Sequence, residues 1–270
     1  HPVELISRIE ALLQRNVHQT TKNERGQICA FMPAKGGVGN STLALNVALE
    51  LCKLKPQHKV ILIELTDGGG SLALQTGMKR QRGFQSLIEK FPPLNHEDVD
   101  GQLQKHTSGL YFLPSTTQPA GIAAPLSKKF VRSLLQIVLV DYDYVILDLP
   151  PALTPAVGEA LRKAAYIVLT LEPNKVALQL ATVLMENLEK MNVGKYKIAP
   201  VIIHRALTTG STSRELLEEQ LDADLLASIP PAPDMAYKSW DSARPMVLLQ
   251  PQSIVAQQVR LIVNKILKVL

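Results

Sequence analysis

The stretch Ala34-Lys35-Gly36-Gly37-Val38-Gly39-Asn40-Ser41-Thr42 follows directly on an apolar run and precedes a strong helical pattern. A strand, a glycine-rich turn and a helix N-terminus together make a phosphate cradle. The glycines let backbone N–H groups point inward, and the helix dipole favours an anion there. In that setting Ser41 is placed to ligate Mg²⁺ through its hydroxyl, and Thr42 to hydrogen-bond an α-phosphate. The dinucleotide fingerprint G-x-G-x-x-G is absent. So is a complete Walker A, G-x-x-x-x-G-K-[ST], which needs lysine where this chain has Asn40. The lysine at hand, Lys35, precedes the glycines.

Other constellations carry less. The six histidines show no i,i+4 pair, so a metal triad is not expected. Lys79, Arg80 and Arg82 beside Phe84 form a small basic cluster that reads first as a solvated loop and second as a phosphate-backbone contact. The stretch 208–213 is rich in Ser and Thr and reads as a loop with a helix cap at 211–213.

The elements that must position the loop are legible from periodicity. Short aliphatic or β-branched runs at 27–32, 59–65, 144–149, 166–171, 198–204 and 225–229 predict strands. Helical patterns fill 41–54, 125–140, 174–191 and 213–220. Strands separated by helices imply βαβ units: an α/β, doubly wound, mostly parallel sheet with helices on both faces. The segment 68–119 is the least regular and is expected to hold short helices and a strand near 110–113. The composition agrees, with 46% hydrophobic but only 4% aromatic residues among 270, as suits an aliphatic parallel-sheet core.

Residues 3–14 carry apolar side chains at Leu5, Ile6, Ile9, Leu12 and Leu13, one face of a helix, followed by a polar linker to Gly26. Residues 1–26 are therefore expected to be a lead-in, and 27–270 one phosphate-binding domain. The start at His1 reads as a trimmed end or tag remnant of a longer chain. No run of about 18 apolar residues and no signal peptide is found, and two cysteines are too few for a disulfide framework, so a reducing cytoplasm is expected. The net charge of +5 permits an acidic partner without identifying one. The segment 253–270 is a basic amphipathic helix, expected to dock on the sheet rather than on a lipid surface.

Lysine before the glycines is the mark of the deviant Walker A, K-G-G-x-G-K-[ST], and from residue 27 onward the chain resembles the MinD/ParA superfamily of ATPases. The resemblance implies a P-loop domain binding ATP and Mg²⁺, with Gly36, Gly37, Val38, Gly39, Asn40, Ser41 and Thr42 around the phosphates. It implies that Lys35 reaches across a homodimer, through the nucleotide face, to the partner's nucleotide. Asp143-Tyr144-Val145-Ile146-Leu147-Asp148-Leu149 resembles the Walker B strand, with Asp148 joining Ser41 on Mg²⁺. Ile229-Pro230-Pro231-Ala232-Pro233-Asp234 resembles the loop beside adenine, so Pro230 and Pro231, with His204 and Arg205, are expected around the base. Ser242-Ala243-Arg244-Pro245-Met246-Val247 resembles the G-R-P-L-V segment that follows.

Three positions depart from the pattern. Asn40 replaces the lysine that bridges β- and γ-phosphates and brings no charge, so affinity and transition-state stabilisation should fall. The D-x-D pattern ending strand two becomes Glu64-Leu65-Thr66, with Asp67 available by a one-residue slip as the residue orienting water. His204 stands where the superfamily usually has the Asn that reads adenine, and a structural histidine is an equal alternative. An intact cradle beside an impaired catalytic set is similar to the CpaE/TadZ branch, whose members precede the ATPase domain with a receiver-like domain. The resemblance then implies a nucleotide-dependent dimeric localisation factor for pilus or secretion machinery, cytoplasmic and recruited to a pole or inner-membrane surface. The alternatives are an active ATPase cycling on membrane or nucleoid, and a nucleotide-free scaffold. Nucleic acid is not an expected partner of the leading reading, and a membrane surface is not favoured.

Overall fold

The computed structural model describes residues 26–78, 83, 85–92, 94–119, 121–122, 124–205 and 213–270. The lead-in expected at 1–26 (apart from Gly26), the basic cluster at Lys79, Arg80, Arg82 and Phe84, and positions 208–212 lie outside the described residues.

Strand β1 (Gln27–Pro33) enters helix α1 (Asn40–Leu54), which returns to β2 (Val60–Glu64). Short helices α2 (Leu72–Gln75), α3 (Gln85–Lys90) and α4 (His96–Asp100) lead to the strands β3 (Gln104–Lys105) and β4 (Tyr111–Leu113). Then come α5 (Lys128–Asp141), β5 (Tyr144–Asp148), α6 (Pro155–Lys163), β6 (Tyr166–Leu171), α7 (Lys175–Lys190) and β7 (Ile198–Ile203). The chain closes with α8 (Arg214–Leu221), β8 (Ala227–Ile229), α9 (Pro233–Asp241), α10 (Met246–Leu249) and α11 (Ile254–Val269).

Among the described residues, eight strands form one sheet in the order β3-β4-β2-β5-β1-β6-β7-β8. Only β3–β4 is antiparallel; the remaining ladders are parallel, so the α/β doubly wound expectation holds. Strand side chains alternate between the faces. Ile28, Ala30 and Met32 pack with α5, α6 and α7, whereas Cys29 and Phe31 pack with α1 and α11. The chain leaves β1 toward α1 on one face and leaves β5 toward α6 on the other. A crevice must therefore open at the carboxyl ends of these two adjacent strands.

Boundaries differ from the sequence reading where caps were counted as helix. Ser127, Asn174 and Ser213 lie just outside their helices, each accepting a first-turn N–H with its side chain. Three helices among the described residues went unread, the four-residue α10 among them. α6 is short and contains Gly158, but Thr154 caps it and Pro155 opens it. α9 opens on Pro233 and carries only a weak apolar stripe.

Helix α11 docks as expected. Val255, Val259, Ile262, Val263 and Ile266 are buried against the sheet. Two of its basic residues are engaged within the fold: Arg260 meets the buried Glu50 of α1 at 2.6 Å, and Lys265 donates to Leu226 O at 2.6 Å. The stripe formed by those five apolar residues is covered by the sheet, while Ile254, Leu261 and Val269 stay exposed. Among the described residues, no helix is long and apolar enough to cross a membrane.

Candidate functional site

The loop between β1 and α1 is shaped by its glycines. Gly37 and Gly39 have φ of 79° and 93°, a region that side chains with a Cβ rarely adopt. Its first residue is pinned by Ala34 N–H donating to Thr170 O at 2.9 Å. Gly39 caps α1 without any side chain, and no acidic residue occupies the first turn. By contrast, Ser127, Thr154, Asn174, Ser213 and Ser253 cap α5, α6, α7, α8 and α11. The first-turn N–H groups of α1 are thus left for an anion from outside. They open into a cleft of about 860 Å³, lined by Gly36 to Leu43, Glu64, Thr66, Asp148, His204, Arg205, Pro230 and one side of α9. That volume is in the range of small-molecule sites.

Asn40 lines the cleft but its side chain turns into the sheet. Its Nδ2 donates to Asp148 Oδ1 at 2.7 Å and to Phe31 O at 3.1 Å, with Leu149 O at 3.4 Å. Its Oδ1 accepts from Thr170 Oγ1 at 2.8 Å. The amide, 6% exposed, therefore bolts the start of α1 to β1, β5 and β6. Both Nδ2 hydrogens and the oxygen have protein partners, so this side chain offers the phosphates nothing beyond its backbone N–H.

Asp148 ends β5 beside Phe31 on one neighbour and Glu64 on the other. Burial pushes its carboxyl up to about 7; nearby Glu64 raises it further, while hydrogen bonds from Ser41 and Asn40 oppose the rise. The folded state therefore holds a proton between about pH 4 and pH 7 that the unfolded chain releases. Stability must fall as pH rises through that window. In nucleotide-free protein, Asp148→Asn is expected to match the wild-type melting temperature near pH 4 and exceed it near pH 8, by a few kcal/mol of stability. Melting profiles of the two proteins that run parallel across this range would contradict the assignment.

Glu64, placed in the sequence reading at the first carboxylate of a D-x-D pattern, holds loops. Oε1 accepts from the N–H groups of Ser71 at 2.7 Å and Leu72 at 3.1 Å, and Oε2 from Ser115 N–H at 3.0 Å. A Cβ on Gly70 would sit 2.7 Å from Glu64 Oε2, so glycine is required for this close approach. Burial raises the Glu64 carboxyl, and the three N–H donors work against that rise.

The remaining candidates divide. Thr42 reaches Gln75 Oε1 at 3.3 Å within the cleft. His204 and Pro230 line it, and Nε2 of His204 meets Ser228 Oγ at 3.0 Å. Pro231 does not line it. Asp67 is not brought to the cleft: its Oδ1 accepts from Leu126 N–H at 2.7 Å, and Thr66 lines the site instead. The one-residue slip that would have aimed Asp67 at a water is not what the Gly68–Gly70 backbone does. Lys35 sits outside the lining, its Nζ 3.1 Å from Glu172 Oε2. Arg205 joins the same carboxylate at 3.6 Å and donates to Gly37 O at 3.3 Å. Thr170 and Glu172 were missed from sequence, although Thr170 is a lone polar residue in the aliphatic strand β6 and so a readable signal.

Comparison with known proteins places this arrangement. A family described as an AAA domain matches residues 26–198. The chromosome-partitioning ATPase Soj of Thermus thermophilus is 30% identical over 203 residues, covering 73% of this chain and 75% of Soj. The chain belongs to the MinD/ParA superfamily. Solved structures of this superfamily share the fold. A ParA family ATPase from Chlorobium tepidum superimposes with TM-score 0.78 at 22% identity, covering 90% of this chain and 98% of that one. MinD from Pyrococcus horikoshii, complexed with Mg-ADP, gives TM-score 0.73 at 19% identity, covering 89% and 96%.

Proposed function

We propose that the chain is a nucleotide-dependent switch that binds MgATP at Gly36–Thr42, hydrolyses it weakly or not at all, and pairs through its nucleotide face. The observation carrying this is the uncapped N-terminus of α1 beside an Asn40 amide fully engaged in the sheet. Backbone N–H groups take the phosphates, while the cationic side chain that would stabilise charge in the transition state is absent from the cradle. The Ser41 hydroxyl and the Asp148 carboxylate are adjacent oxygen donors, a pair that fits a Mg²⁺ ion retaining several waters. When bound, Mg²⁺ would neutralise phosphate charge. The Mg-ADP carried by Pyrococcus MinD supports magnesium together with an adenine nucleotide on this fold.

Residues 27–270 act as the switch, with 1–26 as its lead-in. In the dimer, Lys35 leaves Glu172 and meets the partner subunit's nucleotide. The function is that of a CpaE/TadZ-type localisation factor, recruiting pilus or secretion proteins at a pole or inner-membrane surface. Its support is the combination of a kept cradle and a lost lysine, together with the resemblance of the loop sequence. Light scattering tests the switch. MgATP is expected to raise the dimer fraction, and Lys35→Ala to abolish the rise while nucleotide still binds. The same dimer fraction with and without MgATP would favour a static scaffold.

A further inference from the structure

One end of the cleft is not used by phosphate chemistry. Besides Ile203 and His204, the cleft is lined by apolar side chains: Ala236, Tyr237 and Trp240 of α9, with Met246 and Val259. Tyr237 is 68% exposed and Trp240 53% exposed. Of the large hydrophobic side chains left exposed among the described residues, these are the two that line the cleft. Spaced i,i+3, they share one face of α9. The helix end that carries them is fixed, with Ala243 N–H donating to Trp240 O at 3.2 Å and Arg244 N–H to the buried Ser239's carbonyl at 2.9 Å. Two aromatic rings held open over a cleft, on a helix whose C-terminal end is capped, call for a flat apolar ligand.

His204, expected beside the base, already has partners within the fold. His204 Nε2 meets Ser228 Oγ at 3.0 Å, and the His204 N–H donates to Ile229 O at 3.0 Å. We infer that Tyr237 and Trp240 form a stacking platform for the base of the bound nucleotide, so that the site takes a purine by its face rather than by its edge. This inference rests on the nucleotide reading above and adds the chemistry that selects the base. Stacking is tolerant of base identity because every base presents a π-face. ATP and GTP are therefore expected to bind within a few-fold of each other.

Trp240 is the single tryptophan of the chain, so intrinsic emission reports this residue alone. Wild type, Trp240→Ala, Trp240→Phe and Tyr237→Ala are titrated calorimetrically with MgATP, MgGTP and magnesium tripolyphosphate, which has the phosphates without a base. Wild-type emission is followed in parallel. Both nucleotides are expected to alter Trp240 emission and tripolyphosphate to leave it unchanged. Trp240→Ala should weaken both nucleotides about tenfold, leave tripolyphosphate binding unaltered, and be largely rescued by Trp240→Phe. Nucleotide binding with constant emission and undiminished affinity in Trp240→Ala overturns the platform but leaves the nucleotide site standing. A preference for ATP over GTP of a hundredfold or more overturns reading by the face. Binding of none of the three ligands overturns the nucleotide site and the platform with it.

Discussion

Asn40→Lys is expected to raise affinity for MgATP about a hundredfold while lowering the stability of the nucleotide-free protein by about 2 kcal/mol. The gain follows from placing a cation between phosphates that now meet only backbone N–H groups. Each charge-assisted bond contributes roughly 1.5–3 kcal/mol, and two such bonds at the lower figure give about two decades. The loss follows from the bolt. Phe31 O, Leu149 O and the Thr170 hydroxyl are partners of Asn40 in the folded protein. An ammonium group can donate to the carbonyls but cannot accept from Thr170, so some buried polar atoms lose their partners. Asn40→Ala separates the effects, with a stability loss of about 3 kcal/mol and no gain in affinity. Calorimetry and denaturant titration of the three proteins provide both readouts. Unchanged affinity in Asn40→Lys would show that this position does not face the phosphates in the bound state.

Glu64→Ala is expected to cost about 4 kcal/mol of stability, because three backbone N–H groups lose a shared acceptor at once. Ser71 and Leu72 start α2, and Ser115 follows β4, so a single carboxylate ties the end of β2 to two loops flanking the cleft. Glu64→Gln should fall between the two. Its oxygen keeps Ser71 and Leu72, while its NH₂ group faces the Ser115 N–H donor to donor. Urea denaturation measures the loss. A Glu64→Ala protein as stable as wild type would mean the carboxylate has a role other than holding these loops.

The parts of the molecule that were legible in sequence are those governed by repetition. The buried strands read as continuous aliphatic runs, and glycines at 36, 37 and 39 before Ser-Thr announce a turn that only a helix start explains. The sequence also made Asn40 suspect, since an amide stands where a cation is usual. What sequence could not supply was direction. Asn40 can donate to phosphate or to protein, and only the juxtaposition of Thr170, Phe31 and Asp148 from three separate strands decides for protein. Asp67 failed for the same reason. Its residue type suits a water-orienting role, yet the backbone at Gly68–Gly70 turns it to Leu126. Lys35 was recognisable by its position before the glycines, but its partner Glu172 lies far along the chain and carries no local signature. The aromatic face of α9 was missed because the helix is short and opens on Pro233 after a Pro-rich loop, so its few apolar residues did not read as a helix.

A cradle that holds nucleotide without turning it over must keep its ATP intact. The protein is incubated with an equimolar amount of MgATP for several hours, separated from free ligand, and the bound nucleotide identified by chromatography. The expected result is close to one ATP per chain, recovered intact. Recovery of ADP, with phosphate release that continues at excess ATP and rises with protein concentration, would contradict the claim and establish an active ATPase; an empty protein would contradict nucleotide binding itself.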